Sequence, residues 1–457
     1  MNHAAATGAL RDRPLLTGAA IAVAATVMVS VWLGLGLLSL PGLLLLLLAV
    51  IGGGVLFLGT APGLLAVLGP ALMPLGLVWI VFPYEMAFGV LALLVVLRGL
   101  ELRAHWLLRL ERLELANLTL VAWALFTGFW CTDPGLYFLG ARRFLEGAAS
   151  LWVAYRFARL VPRRMFELGL VACSIALSTS ALARYLSRGL SPERVIFDRA
   201  SATNLGWGTA NFIATLLLIL TPPIIVMGLR ARERWLRGIA WPTAALNGLL
   251  QGVIASRAAT LLFFGGLLTQ FTGGRTRRHW LGATVVVAVM ALLLASPLGQ
   301  MLIVRFQNPR ELGSMVVRVW YAREAWQRTL VAFPWGLGVN QGLAQTDHLQ
   351  NIDPHNYWLV LSSELGLPGV LLWIVILVLL WRRIGPLVAT PEWHEVGRAL
   401  QIAFWLSQLH TLVEPTFQGP QYQYLYFWVL GGYLGYYAVS RERTAAPQRG
   451  PAASNAR

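Results

Sequence analysis

His355 stands in the stretch Asp353-Pro354-His355-Asn356-Tyr357-Trp358-Leu359, at the mouth of a long apolar run. Pro354 stiffens the entry. Imidazole gains and loses a proton close to neutral pH, so His355 is a candidate general base. The plainer role for a lone histidine there is a cap or an interfacial side chain. Arg257 lies in Ser256-Arg257-Ala258-Ala259, between two apolar runs with almost no polar linker. A charge near hydrocarbon costs roughly 2.5–3.5 kcal/mol even on lenient scales, so it should face a polar cavity and meet a counter-charge. No acid is near it in sequence, and a bound anion such as a diphosphate would serve. His410 and Glu414 are four apart, on one helix face near the end of another apolar run. They suit a proton relay or an interfacial ion pair. Glu364 falls nine residues after His355, half a turn out of phase, which suits a helix–helix bond better than catalysis. His3, His105, His279 and His394 are terminal or on the opposite side of the chain's path.

No motif for a metal is present: there is no His/Asp cluster and no paired Asp on a loop. The two cysteines, Cys131 and Cys173, imply no disulfide framework. Gly52-Gly53-Gly54 suits close helix packing rather than a phosphate cradle.

The elements that must position these residues are membrane helices. Of 457 residues, 57% are hydrophobic and 12% charged, and the mean hydropathy is +0.64. A soluble domain is about 45–50% apolar and about 25% charged, so a soluble enzyme, a disordered chain and a fibrous one are excluded. The apolar runs are continuous rather than alternating, which excludes a β-barrel. The expected fold is an all-α polytopic membrane bundle of about 12–14 transmembrane helices. Fourteen spans can be drawn: 15–38, 42–60, 62–82, 84–98, 116–131, 144–160, 165–186, 209–229, 238–255, 258–273, 280–304, 356–381, 398–413 and 422–439. The first is too long for a signal-peptide core and is expected to stay.

The chain carries 36 basic residues, all arginine, and a net charge of +16. Nucleic acid is not an expected partner for so apolar a chain. Arginines cluster at Arg98–Arg112, Arg156–Arg164, Arg230–Arg237, Arg275–Arg278, Arg382–Arg383 and Arg441–Arg443, always on the side of the N-terminus. That side is therefore read as cytoplasmic. The division is 1–14 cytoplasmic, 15–304 membrane bundle, 305–355 a long periplasmic loop, 356–440 C-terminal membrane helices and 441–457 a disordered cytoplasmic tail. Apolar spacing at Leu312, Met315, Val316, Val319, Ala322, Trp326 and Leu330 predicts a helix at about 311–332 inside the long loop. Arginines still fall on the outer side against the usual bias, among them Arg142, Arg143, Arg184, Arg199, Arg257 and Arg318. Snorkelling to lipid phosphate explains many such residues.

His355-Asn356, nine residues, then Gly366-Leu367-Pro368-Gly369 resembles the His-Asn-x9-Gly-x-x-Gly signature of the bacterial O-antigen ligase and O-antigen polymerase superfamily. Ser256-Arg257-Ala258 is similar to its Ser-Arg-Gly turn, with Ala in place of Gly. Arg318-Val319-Trp320, then Pro334-Trp335-Gly336-Leu337-Gly338, resembles its Arg-x-x-Trp and Pro-x-x-Gly-x-Gly elements, the Trp and the two glycines each coming one residue early. Asn211 resembles the Asn that opens a helix there. The resemblance spans about 115–440 in layout and is specific within 250–370. It implies an inner-membrane glycan transferase with its active site facing the periplasm. The implied donor is a glycan on undecaprenyl diphosphate. The implied acceptor is lipid A-core for a ligase, or another lipid-linked glycan for a polymerase. No cofactor is implied, and for the ligase no metal. In that frame His355 is the base, Arg257 and Arg318 hold the diphosphate, Arg199 is a third donor-binding candidate, and Asn356, His410 and Glu414 support them. Tyr357, Trp358, Trp320 and Trp335 could stack on sugars. No external pair of acids suggests a covalent intermediate, so direct attack with inversion is expected. A lipid or glycolipid transporter is the alternative of another class, disfavoured by the scarcity of charges in mid-span.

Overall fold

The computed structural model describes residues 61–73, 83–102, 104, 106–107, 109–187, 210–254, 256–272, 277–296, 299–300, 303, 309–341 and 355–445. All regular structure among them is helical. The helices are α1 (Ala61–Ala71), α2 (Pro83–Glu101), α3 (Arg112–Phe126), α4 (Pro134–Phe157), α5 (Arg163–Ser187), α6 (Ala210–Arg230), α7 (Arg234–Ile254), α8 (Arg257–Thr272), α9 (Arg277–Ala295), α10 (Pro309–Val331), α11 (Tyr357–Ala389), α12 (His394–Thr411) and α13 (Pro420–Ala445). Among the described residues, four stretches are long and apolar enough to cross a membrane: α3 with the 3-10 turn to Trp130, α5, α6 and α11.

The ends are set by local chemistry. Asp133 caps α4, its Oδ1 accepting from Leu136 N at 3.0 Å, with Pro134 in the first turn. Asn356 caps α11 by accepting from Trp358 N at 2.9 Å and Leu359 N at 3.1 Å. Glu111 and Glu114 form a capping box at α3. In the centre, α6 is apolar all round and almost wholly buried, as such a helix must be. Small residues bring helices close: a Cβ on Gly435 would lie 2.4 Å from Tyr155 O, joining α13 to α4.

Side-chain contacts fix which helix ends meet. Arg398, near the start of α12, donates to Thr269 O near the end of α8 at 2.9 Å. The two helices are therefore antiparallel, and Arg257 shares an end of the bundle with His410. The opposite end gathers Arg156 on Glu114, Arg159 on Glu442, Arg383 on Glu111, and Arg230 on Glu395 at 3.2 Å.

The predicted helix at 311–332 is α10. Three expectations change. The span placed at 144–160 begins at Pro134, so Arg142 and Arg143 are in α4 and not in a connection. Both meet acids from other helices. Arg143 is buried on Glu364, and Arg142 pairs with Glu85 and, at 2.7 Å, with Glu146, which also accepts from Tyr84 Oη at 2.8 Å. Charge marks a span boundary only where it has no partner; a counter-charge on a neighbouring helix lets it stay inside. Arg184 lies in the last turn of α5, within the span drawn at 165–186. Residues 441–445, drawn as the start of the tail, belong to α13, which runs to Ala445. The scarcity of mid-span charge, used against transport, gives way to two interhelical ion-pair clusters. The spans at 15–38 and 42–60, the connection around Arg199, and residues 446–457 lie outside the described residues.

Candidate functional site

α11 does not start as a plain helix. His355 sits before it in the left-handed region, φ 48°, held by the Asn356 cap, whose Nδ2 donates to Leu412 O at 3.1 Å. That bond ties the start of α11 to the turn after α12. It brings the half-buried His355 ring to Glu414, with Nδ1 3.4 Å from Oε2. Glu414 is a hub. Its Oε1 accepts from Asn211 Nδ2 of α6 and from Arg318 of α10 at 3.2 Å. One turn earlier, His410 is fully buried, its Nδ1 2.8 Å from Thr215 Oγ1, and Thr215 donates to Asn211 O at 2.8 Å. His410 Nε2 has no hydrogen-bond partner.

Burial alone would push the Glu414 carboxyl up. The His355 bond and the Arg318, His355 and His410 charges outweigh it and hold the group below its ordinary value. Glu414 is therefore a carboxylate that accepts only. The Nδ1 proton of His355 points at it, leaving the lone pair on Nε2. A carboxylate that holds an imidazole in one orientation is the partner a general base uses. Arg318 spends one of five N–H donors on Glu414.

Of the residues selected from sequence, His355, Asn356, Arg318, His410 and Glu414 come together. Arg257 opens α8 at the same end of the bundle, half-exposed, beside buried Ser256. Arg199 lies outside the described residues. Tyr357 does not offer a sugar platform: it is fully buried, 5.5 Å from the Trp373 ring and 5.3 Å from Phe417. Trp320 and Trp335 are exposed. Thr215 is the residue that sequence reasoning passed over. Its signal was faint: Asn211 and Thr215 are polar positions four apart on an otherwise apolar helix.

The Gly-rich motifs have a packing explanation. Gly366 breaks α11 at φ 63°, ψ −163°, a region essentially open to glycine alone. The 334–338 loop fills the break. Leu367 N donates to Pro334 O at 2.8 Å, Leu337 N to Ser363 O at 2.8 Å and Gly338 N to Glu364 O at 2.9 Å. A Cβ on Gly366 would lie 2.1 Å from Pro334 O, and one on Gly336 2.4 Å from Glu364 O. The loop that follows α10 is thereby locked to α11, which seats Arg318 and His355 on one scaffold. The Arg143–Glu364 pair sits at the same break.

Among the described residues, no group of three or more His, Cys, Asp or Glu side chains could hold a metal ion. No protein-family model matches the chain, and no curated protein matches it.

Proposed function

We propose that the protein is a polytopic inner-membrane glycan transferase. It moves a glycan from undecaprenyl diphosphate to an acceptor sugar hydroxyl, as an O-antigen ligase acting on lipid A-core. One observation carries the reading: His355 and Arg318, from segments 37 residues apart, meet on the single carboxylate of Glu414 at the Arg257 end of an apolar bundle. The superfamily resemblance supplies the substrate class.

In this reading the acceptor hydroxyl oxygen attacks the anomeric carbon and His355 Nε2 takes its proton, a contribution of about 10²–10⁴-fold. The anomeric C–O bond to the diphosphate breaks, and the charge that develops on the leaving group is met by Arg318 and Arg257. Direct attack inverts the anomeric centre. Glu414 holds the imidazole in place during the transfer. The exposed apolar surface around the site, including Trp326, Phe333 and Trp335, suits a membrane interface.

The test is reconstitution with undecaprenyl-diphosphate glycan and a choice of acceptors. Glycan joined to lipid A-core is the expected product. A ladder of longer lipid-linked chains would instead mean a polymerase, and neither product would remove the transferase reading. His355→Ala should abolish turnover while donor still binds, and Arg257→Ala should weaken donor binding. The ion pairs inside α4 and α11 give a transporter its one favourable observation. Movement of lipid-linked glycan across the bilayer without any transfer would select it.

A further inference from the structure

The end of the bundle opposite His355 carries a cavity of about 470 Å³ between the start of α3 and the second half of α11. Arg109, Arg112, Arg382 and Arg383 line it, with Glu111 as the one acid. Glu111 is already committed, paired with Arg383 and accepting from Tyr155 Oη at 2.7 Å. Arg109, Arg112 and Arg382 form no ion pair among the described residues. Three guanidinium groups thus converge on one concave site with their charge uncompensated. Snorkelling accounts for single arginines at helix ends, but not for three around a cavity that two helices build together.

The apolar surroundings say what kind of anion fits. Leu110 and Leu379 line the same cavity. Exposed Val378, Val375 and Leu371 continue from Arg382 along α11 at helical spacing, and exposed Leu115 and Leu118 continue from Arg112 along α3. A soluble phosphate would use the arginines alone. A phospholipid would use both, its phosphate among the guanidinium groups and its chains along the two stripes. We propose that this cavity binds the phosphate headgroup of an anionic phospholipid. Basic pockets between helices on the cytoplasmic side of a membrane bind such headgroups. The inference rests on the membrane-spanning part of the proposed function and not on glycan transfer.

The full chain, purified in neutral detergent, is titrated with cardiolipin, phosphatidylglycerol, phosphatidylcholine and inorganic pyrophosphate, with binding read by native mass spectrometry. The two anionic lipids should be retained over phosphatidylcholine, and less so as salt rises. Replacing all three arginines (Arg109→Gln, Arg112→Gln, Arg382→Gln) should weaken retention about a hundredfold, at roughly fivefold per arginine. The matching Arg→Lys triple variant should restore most of it. Equal retention of phosphatidylcholine, indifference to salt, or unchanged binding by the Gln variant overturns the proposal. Binding of pyrophosphate but not of the lipids overturns the lipid assignment. If the Gln variant does not fold, the wild-type lipid selectivity and salt dependence decide alone. No outcome bears on glycan transfer, which is assayed separately.

Discussion

Glu414 is the residue on which the site turns, because four side chains from four segments address its two oxygens or its charge. Glu414→Gln keeps the shape but replaces an acceptor-only group with one that also donates. Transfer should fall by between about tenfold and 10⁴-fold, since His355 loses the carboxylate that orients it. The pH profile of the remaining activity should change as well, which a merely structural role would not cause. Stability follows from the sign of the shift. The folded carboxyl is held below its ordinary 4.5. Its contribution is therefore complete above that value and is lost as pH falls through the lower folded value. Thermal unfolding in detergent should show wild type above Glu414→Gln at pH 7, with the gap closing only in acid. A gap that persists at the lowest pH would refute the assignment.

At the level of elements, the break at Gly366 does more than bend a helix. It opens backbone groups of α11 that the 334–338 loop then satisfies, and this fixes α10 and α11 relative to each other. Gly366→Ala combines a disallowed backbone region, costing about 1–3 kcal/mol, with a contact at 2.1 Å to Pro334 O. It should lower the unfolding temperature by several degrees and reduce transfer, although residue 366 touches none of the site side chains described above. Unchanged stability would mean that the loop and helix are not coupled in this way. The same break hosts Arg143 and Glu364. Loss of either partner would leave an uncompensated buried charge, a cost of about 3–5 kcal/mol. That explains two charges inside an otherwise apolar core without asking them to do chemistry.

On the scale of the whole molecule, the helices sort charge to two ends. One end holds the His355–Glu414 cluster and Arg257; the other holds Arg156, Arg159, Arg230 and Arg383 with their acids, and Arg109 beside them. In the proposed orientation, read from the positive-inside rule, the second end faces the cytoplasm. With Cys131 and Cys173 changed to Ser, a cysteine from Gln418→Cys should react with a membrane-impermeant maleimide in intact cells. One from Thr444→Cys, at an exposed position, should react only after lysis. The reverse pattern would invert the orientation and remove access to a periplasmic donor.

Hydropathy and arginine spacing are local properties of the chain, so the helical class, the two charged ends, α10 and the helix that begins after His355 were legible from the residues alone. The partners were not. Glu414 meets His355 across 59 positions, Arg318 across 96 and Asn211 across 203, while Arg143 meets Glu364 across 221. Periodicity carries no record of such separations. Only packing, which sets helix ends against one another and lets a loop fill a broken helix, decides which charge finds which.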